Sequence, residues 1–105
     1  MWAILSDDMI DSSKVIGAAR QAGTSARQCR TLAQLEAMLT NADLTQVVLD
    51  LQHPELAVDA LLATIRLVPR PVKVVAYGSH VDAARLKAAR DAGCDEVFAR
   101  SQYLK

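Results

Sequence analysis

The chain has 105 residues, about half of them hydrophobic (51%), and twelve Lys and Arg balance twelve Asp and Glu, a size and mixture that suit one domain around one core and make residues 1–105 a single domain. Zero net charge without a basic cluster leaves no footprint for nucleic acid or an anionic membrane. No apolar run approaches the roughly 20 residues of a membrane span, no leader pattern precedes the first apolar segment, and Cys29 and Cys94 lack CxxC spacing, so reduced thiols and a cytoplasmic location are expected.

Short apolar runs alternate with helical patterns along the chain. Residues 2–6 read as a strand, and Asp11, Ser12 or Ser13 is placed to cap a helix that carries Val15, Ile16, Ala18 and Ala19 and stops at Gly23. Ser25 to Arg30 is the weakest strand candidate. Thr31 then offers an N-cap with Gln34 three residues on, a capping-box spacing, before Leu32, Leu35 and Leu39 on one helical face. Gln46 to Leu51 forms a third strand. After Pro54, Val58, Leu61, Leu62 and Ile65 recur at helical spacing until Pro69 and Pro71 halt them. Val72 to Tyr77 reads as a fourth strand, Asp82 to Ala92 as a helix ending at Gly93, and Glu96 to Arg100 as a fifth strand. This βαβαβαβαβ order predicts a parallel sheet covered by helices on both faces and joined by right-handed crossovers.

Three acids lie at the ends of these strands. Asp7 and Asp8 directly follow the first apolar run, and Asp50 closes the run of Val47, Val48 and Leu49. Open α/β sheets place ligands at the carboxyl edge of their strands, so all three carboxylates are expected to converge there. Mutual repulsion would raise their pKa values unless a cation joins them. Magnesium, which accepts a few carboxylates and keeps several waters, suits that set. Taken singly, each acid has an ordinary alternative as a turn or cap residue; their joint placement favours the site.

These features together resemble the receiver domain of two-component response regulators. The resemblance rests on the acid pair after the first strand, Asp50 with Pro54 four residues on, Pro71 before the fourth strand, and the Asp91-Ala92-Gly93-Cys94 approach to the fifth. It runs from Ile4 to about Ser101. It implies a three-layer, flavodoxin-like, doubly wound sheet of order 2-1-3-4-5, with Asp50 as phosphoacceptor. It also implies a magnesium ion held by Asp7, Asp8, Asp50 and the backbone carbonyl of Gln52, and a histidine kinase or phosphotransfer protein as partner. Charge on the attacking and transferring oxygens would be offset by the metal, while the protein mainly positions the reactants.

The chain departs from that family at several positions. The hydroxyl residue that ends the fourth strand is matched by Ala76, and Ser79, three residues on, is an ordinary N-cap candidate as well as a substitute. The aromatic switch residue of the fifth strand is matched by Val97, with Phe98 alternating to the other face. Arg100 matches the family's characteristic lysine near the end of the fifth strand and keeps its charge on a planar, longer fork; a solvated surface charge is the plain alternative. Only Ser101 to Lys105 remain after the fifth strand, so a full C-terminal helix is missing. The apolar face beneath it calls for cover by a second copy, a further domain or a longer chain.

The remaining candidates are ordinary. His53 and His80 are expected to be exposed loop residues, Cys29 and Cys94 small buried hydrophobes, and Trp2 a packing residue at the far end of the sheet from the acids. A nucleotide or flavin binder would need a glycine-rich phosphate loop where Asp7-Asp8-Met9 stands. The expected function is a receiver-like phosphoacceptor in a phosphorelay. The alternative is a degenerate receiver that acts as an interaction module without phosphorylation.

Overall fold

The computed structural model describes residues 1–105. Its elements are β1 (Trp2–Leu5), α1 (Met9–Gln21), β2 (Ala26–Cys29), α2 (Leu32–Met38), β3 (Gln46–Asp50), α3 (Val58–Arg66), β4 (Lys73–Gly78), α4 (Ala83–Asp91), β5 (Glu96–Ala99) and α5 (Arg100–Tyr103). The five strands form one sheet in the order β2-β1-β3-β4-β5, and every pairing is parallel. The parallel sheet matches the alternation and its strand order is the flavodoxin-like one that the resemblance implies, with the weak second strand included.

The central strands are apolar on both faces because both faces are covered. Val47, Leu49, Val74 and Ala76 join the larger core with Leu35 of α2, Leu61, Leu62 and Ile65 of α3, and Leu86 of α4. Ile4, Val48, Val75 and Tyr77 face the other way and pack with Val15 of α1 and with Leu104. Period-two alternation therefore sorts each strand between a layer of three helices and a layer built on α1.

Local signals set most boundaries. Thr31 caps α2 through the Gln34 amide, and the Gln34 side chain returns to the Thr31 backbone, completing the expected capping box. Gly23 and Gly93 hold φ of 80° and 101° just beyond α1 and α4, a backbone region that glycine enters without a Cβ clash. The start of α1 differs from expectation. Asp8 is its N-cap, and its side chain accepts the amides of Ile10 and Asp11; Asp11 and Ser12 instead lie inside the helix and are buried. Asp8 precedes them and satisfies the free amides of the first turn, so they are not needed as caps.

The C-terminus also differs in detail. No full-length fifth helix follows β5, but Arg100–Tyr103 makes one helical turn. Leu104 is buried against the α1 layer, and the Lys14 ammonium donates to its carbonyl at 3.0 Å. Tyr103 stacks between Tyr77 and Phe98, with ring centroids 5.6 and 5.5 Å away. The turn covers only the upper part of the open face. Below it a groove of about 570 Å³ remains, lined among others by Trp2, Val75, Phe98 and Tyr103.

Candidate functional site

A polar cleft of about 390 Å³ opens at the carboxyl edge of the sheet, where the parallel topology concentrates strand ends and helix starts. Asp8, Asp11, Asp50, Gln52, Ser79, His80, Arg100 and Ser101 line it, with no apolar residue among them.

Asp50 ends β3, the central strand. Its Oδ2 accepts the Ser6 hydroxyl at 2.9 Å, and its Oδ1 accepts the Gln52 amide at 3.0 Å. Each oxygen keeps a further lone pair. Ser6 reaches Asp50 because Leu5 pairs with Leu49, so the next residue of each strand shares a rung and a face. Ser6 is fully buried, and its Oγ also accepts the Asp8 amide at 3.0 Å. One serine thus joins the end of β1, the N-cap of α1 and the acid of β3.

The paired acids separate. Asp8 remains in the cleft, and the Asp11 and Ile10 amides at its oxygen hold its carboxyl below the usual carboxylate range, with Arg100 and Lys14 adding to the effect against some desolvation. Asp7 does not line the cleft. Its carboxylate points toward His53, with Oδ1 3.7 Å from Nε2, and its side chain is 62% exposed. The expected convergence of Asp7, Asp8 and Asp50 is therefore met by Asp8 and Asp50 alone. Successive side chains alternate about the chain, so adjacent acids do not both turn inward.

No group of three or more His, Cys, Asp and Glu side chains stands close enough to enclose a metal ion. The residues that could hold a hard cation are Asp8, whose Oδ2 is free of its capping bonds, and Asp50. Two carboxylates with water completing the shell fit magnesium's habits.

Two residues outside the expected set support the cleft, Asp11 in its wall and Tyr77 buried behind it. Asp11, in the first turn of α1, is 2% exposed. Its Oδ2 accepts the Tyr77 hydroxyl at 3.2 Å and the Arg100 Nε–H at 3.1 Å, and its Oδ1 accepts Arg100 Nη2–H. That bidentate contact, before the weaker pull of Asp8, raises the pKa of the guanidinium, with desolvation opposing. Arg100 Nη2 also lies 4.0 Å from Asp8 Oδ2. Arg100 is thus neither a free surface charge nor an idle neighbour of Asp50; it is anchored at the cleft wall.

Tyr77 pairs with Asp50 across β3 and β4 and is fully buried on the same face. Burial pushes its phenol up, the Ser6 contact opposes this, and the nearby charges of Asp50 and Asp11 push further. It is a neutral hydrogen-bond donor. Ala76, the position expected to carry the switch, lies in the opposite core layer with Val97 packed against that same layer, so neither faces the layer beneath Asp50. The hydroxyl that β4 sends toward the acids comes from the next residue. Ser79 and His80 do line the cleft, on the loop after β4, and the Ser79 Oγ accepts the Val81 amide at 3.4 Å.

His53 corrects another expectation: it is buried, at 6% exposure. Its Nε2 lies 2.6 Å from the Arg30 carbonyl and its Nδ1 accepts the Glu55 amide at 3.2 Å. An acceptor at one nitrogen and a donor at the other assign the neutral Nε2–H tautomer. The ring ties the loop after β2 to the loop after β3 and is a structural pin beside the cleft.

Solved structures share this architecture. A response regulator from Thermotoga maritima superposes with a TM-score of 0.78 over 94% of this chain and 82% of its own, at 15% identity. The signal receiver domain of a response regulator from Bermanella marisrubri gives 0.76 over 94% and 83%, at 19% identity. A response regulator protein from Burkholderia pseudomallei, solved with a phosphorylated aspartic acid, a calcium ion and citrate, gives 0.77 over 94% of this chain and 58% of its own, at 13% identity. No family model and no curated protein matches the chain. The fold is that of response regulator receiver domains.

Proposed function

We propose that this chain is a receiver-type signalling domain that accepts a phosphoryl group on Asp50, with magnesium, from a histidine kinase or phosphotransfer protein in the cytoplasm. The observation that carries the reading is Asp50 itself. It closes the central strand and lines the same polar cleft as the helix-capping carboxylate of Asp8 and a fixed guanidinium, Arg100. One Asp50 oxygen would attack phosphorus while the bond from phosphorus to the donor nitrogen breaks and its electron pair returns to that nitrogen. Ser6 and the Gln52 amide hold the nucleophile in place, and Arg100 stands ready for charge on the phosphoryl oxygens. A magnesium ion on Asp8, Asp50 and the Gln52 carbonyl would offset the repulsion between carboxylate and phosphoryl group. Asp7 would act on that ion only from outside the cleft.

A small phosphodonor with magnesium should add one phosphoryl group to the wild type, read as intact mass and mapped to Asp50. Asp50→Asn should remain unlabelled, because its amide is a poor nucleophile. The exclusion of Asp7 from the cleft favours a second reading, a receiver-like interaction module that works without phosphorylation. Its partner, a second copy or an additional domain, would use the groove below Tyr103. Failure to label wild type at saturating magnesium would select that reading.

A further inference from the structure

We propose that Asp11 is a positioning residue that grips one edge of the Arg100 guanidinium so that the opposite edge is presented to a phosphoryl group on Asp50. The proposal rests on the phosphoacceptor reading and adds two residues to it, Asp11 and its anchor Tyr77.

Donor counting carries the argument. A guanidinium has five N–H donors in one plane. Asp11 takes two of them, on Nε and Nη2. Both protons of Nη1 and the second of Nη2 remain, on edges turned away from Asp11. Nη2 already stands 4.0 Å from Asp8 Oδ2, inside the cleft that Asp50 lines. Anchoring and presentation therefore use different edges of one rigid fork. A lysine ammonium is a point charge on a flexible stem and offers no such division, which gives a physical reason for arginine at this position.

The anchor is itself fixed. The Asp11 side chain is 3% exposed, against 50% for Arg100. Asp11 sits in the first turn of a helix capped by Asp8, and its Oδ2 is held by the Tyr77 hydroxyl. The Tyr77 ring is fully buried and stacked on Tyr103. The flexible partner is the arginine, and its immobilisation is what Asp11 supplies.

Simple electrostatics makes the opposite prediction, so the idea can be tested by sign. Deleting a carboxylate near an anion site should tighten anion binding if Asp11 acts only through its charge. If Asp11 positions Arg100, deletion should weaken it. Magnesium affinity and beryllofluoride affinity at saturating magnesium would be measured by amide NMR titration in wild type, Asp11→Asn, Tyr77→Phe and Arg100→Lys. Magnesium affinity is expected to stay within about twofold in Asp11→Asn, while the phosphoryl mimic weakens about tenfold, on the order of one charge-assisted hydrogen bond. Arg100→Lys should lose a similar factor.

The Arg100 Nε–H should give a slowly exchanging resonance in wild type and a fast one in Asp11→Asn. Should Asp11→Asn not fold, Tyr77→Phe decides, with an expected loss of about threefold in mimic affinity and faster Nε–H exchange as the anchor loosens. Equal or tighter mimic binding in Asp11→Asn, an Nε–H as labile as that of an exposed arginine in wild type, or a Tyr77→Phe variant unchanged in both readouts would overturn the proposal. Wild type that binds magnesium but no mimic would overturn the phosphoacceptor reading and this proposal together. Mimic binding without loss in Asp11→Asn would overturn this proposal alone.

Discussion

Replacing Arg100 with methionine keeps an apolar stem of similar length and removes the guanidinium from Asp11. Oδ1 of Asp11 then loses its hydrogen-bond partner, and Oδ2 keeps only the Tyr77 hydroxyl. Stranding one charge of a fully buried pair costs about 3–5 kcal/mol, whereas an exposed pair is worth about 0–1 kcal/mol. Asp11 is almost wholly enclosed but half of the Arg100 side chain meets water, so the cost should lie between, near 2 kcal/mol. With a urea slope of about 1–1.5 kcal/mol/M for a small domain, the unfolding midpoint should fall by about 1.5 M. The double variant Asp11→Asn with Arg100→Met replaces the stranded charge by a neutral amide and should recover at least half of the loss. A single variant costing less than about 0.5 kcal/mol, or a double variant no more stable than the single, would show Arg100 to be a solvated charge with no share in the fold.

Two further predictions concern parts of the fold that support the site. Burial raises the carboxyl of Asp95, but the Val74 amide, Arg66 and Lys73 outweigh it and set its pKa below the ordinary 3.8. Because the folded value is the lower one, this contribution is present above pH 3.8 and fades as pH falls through the folded value. The melting-temperature gap between wild type and Asp95→Asn should therefore be largest near neutrality and close in acid; a gap independent of pH would contradict it. Thr31→Ala removes half of the capping box on α2 and should cost about 1 kcal/mol in urea unfolding, whereas Thr31→Ser should cost only a fraction of that.

The strand and helix alternation was readable because its signals are local. Parallel central strands buried on both faces appear as apolar runs, and Thr31, Gly23 and Gly93 mark helix ends by short-range chemistry. The placement of Asp50 at the end of a central strand follows from those runs alone. Which neighbours meet it does not. That depends on the register between strands and on the residue at which α1 begins, and a shift of one position exchanges the faces. Asp7 and Asp8 look equivalent in sequence, yet the helix starting at Met9 takes Asp8 as its cap and leaves Asp7 outside the cleft.

The roles of Ser6, Asp11 and Tyr77 depend on the same register and helix start and are not local to the sequence. Tyr77 is two residues beyond Val75 and Asp50 two beyond Val48, and Val75 and Val48 belong to the same core layer. Period-two counting was therefore available for each strand, but the pairing of Asp50 with Tyr77 was not. Ala76 carries no hydroxyl and faces the opposite core layer. What the cleft requires is a donor at a point in space, and a phenol from the adjacent residue on the opposite face of β4 reaches Asp11 instead. Asp11 in turn makes sense of Arg100: a buried carboxylate calls for a bidentate partner, and only a planar fork can meet that demand while keeping donors free for the cleft. Tyr77, Asp11 and Arg100 are thus coupled through hydrogen bonds. The buried acid at position 11 is satisfied only by the phenol on one side and the guanidinium on the other, so removing any one of the three leaves a polar group of the others without its partner, and each gives the other two a physical reason to be present.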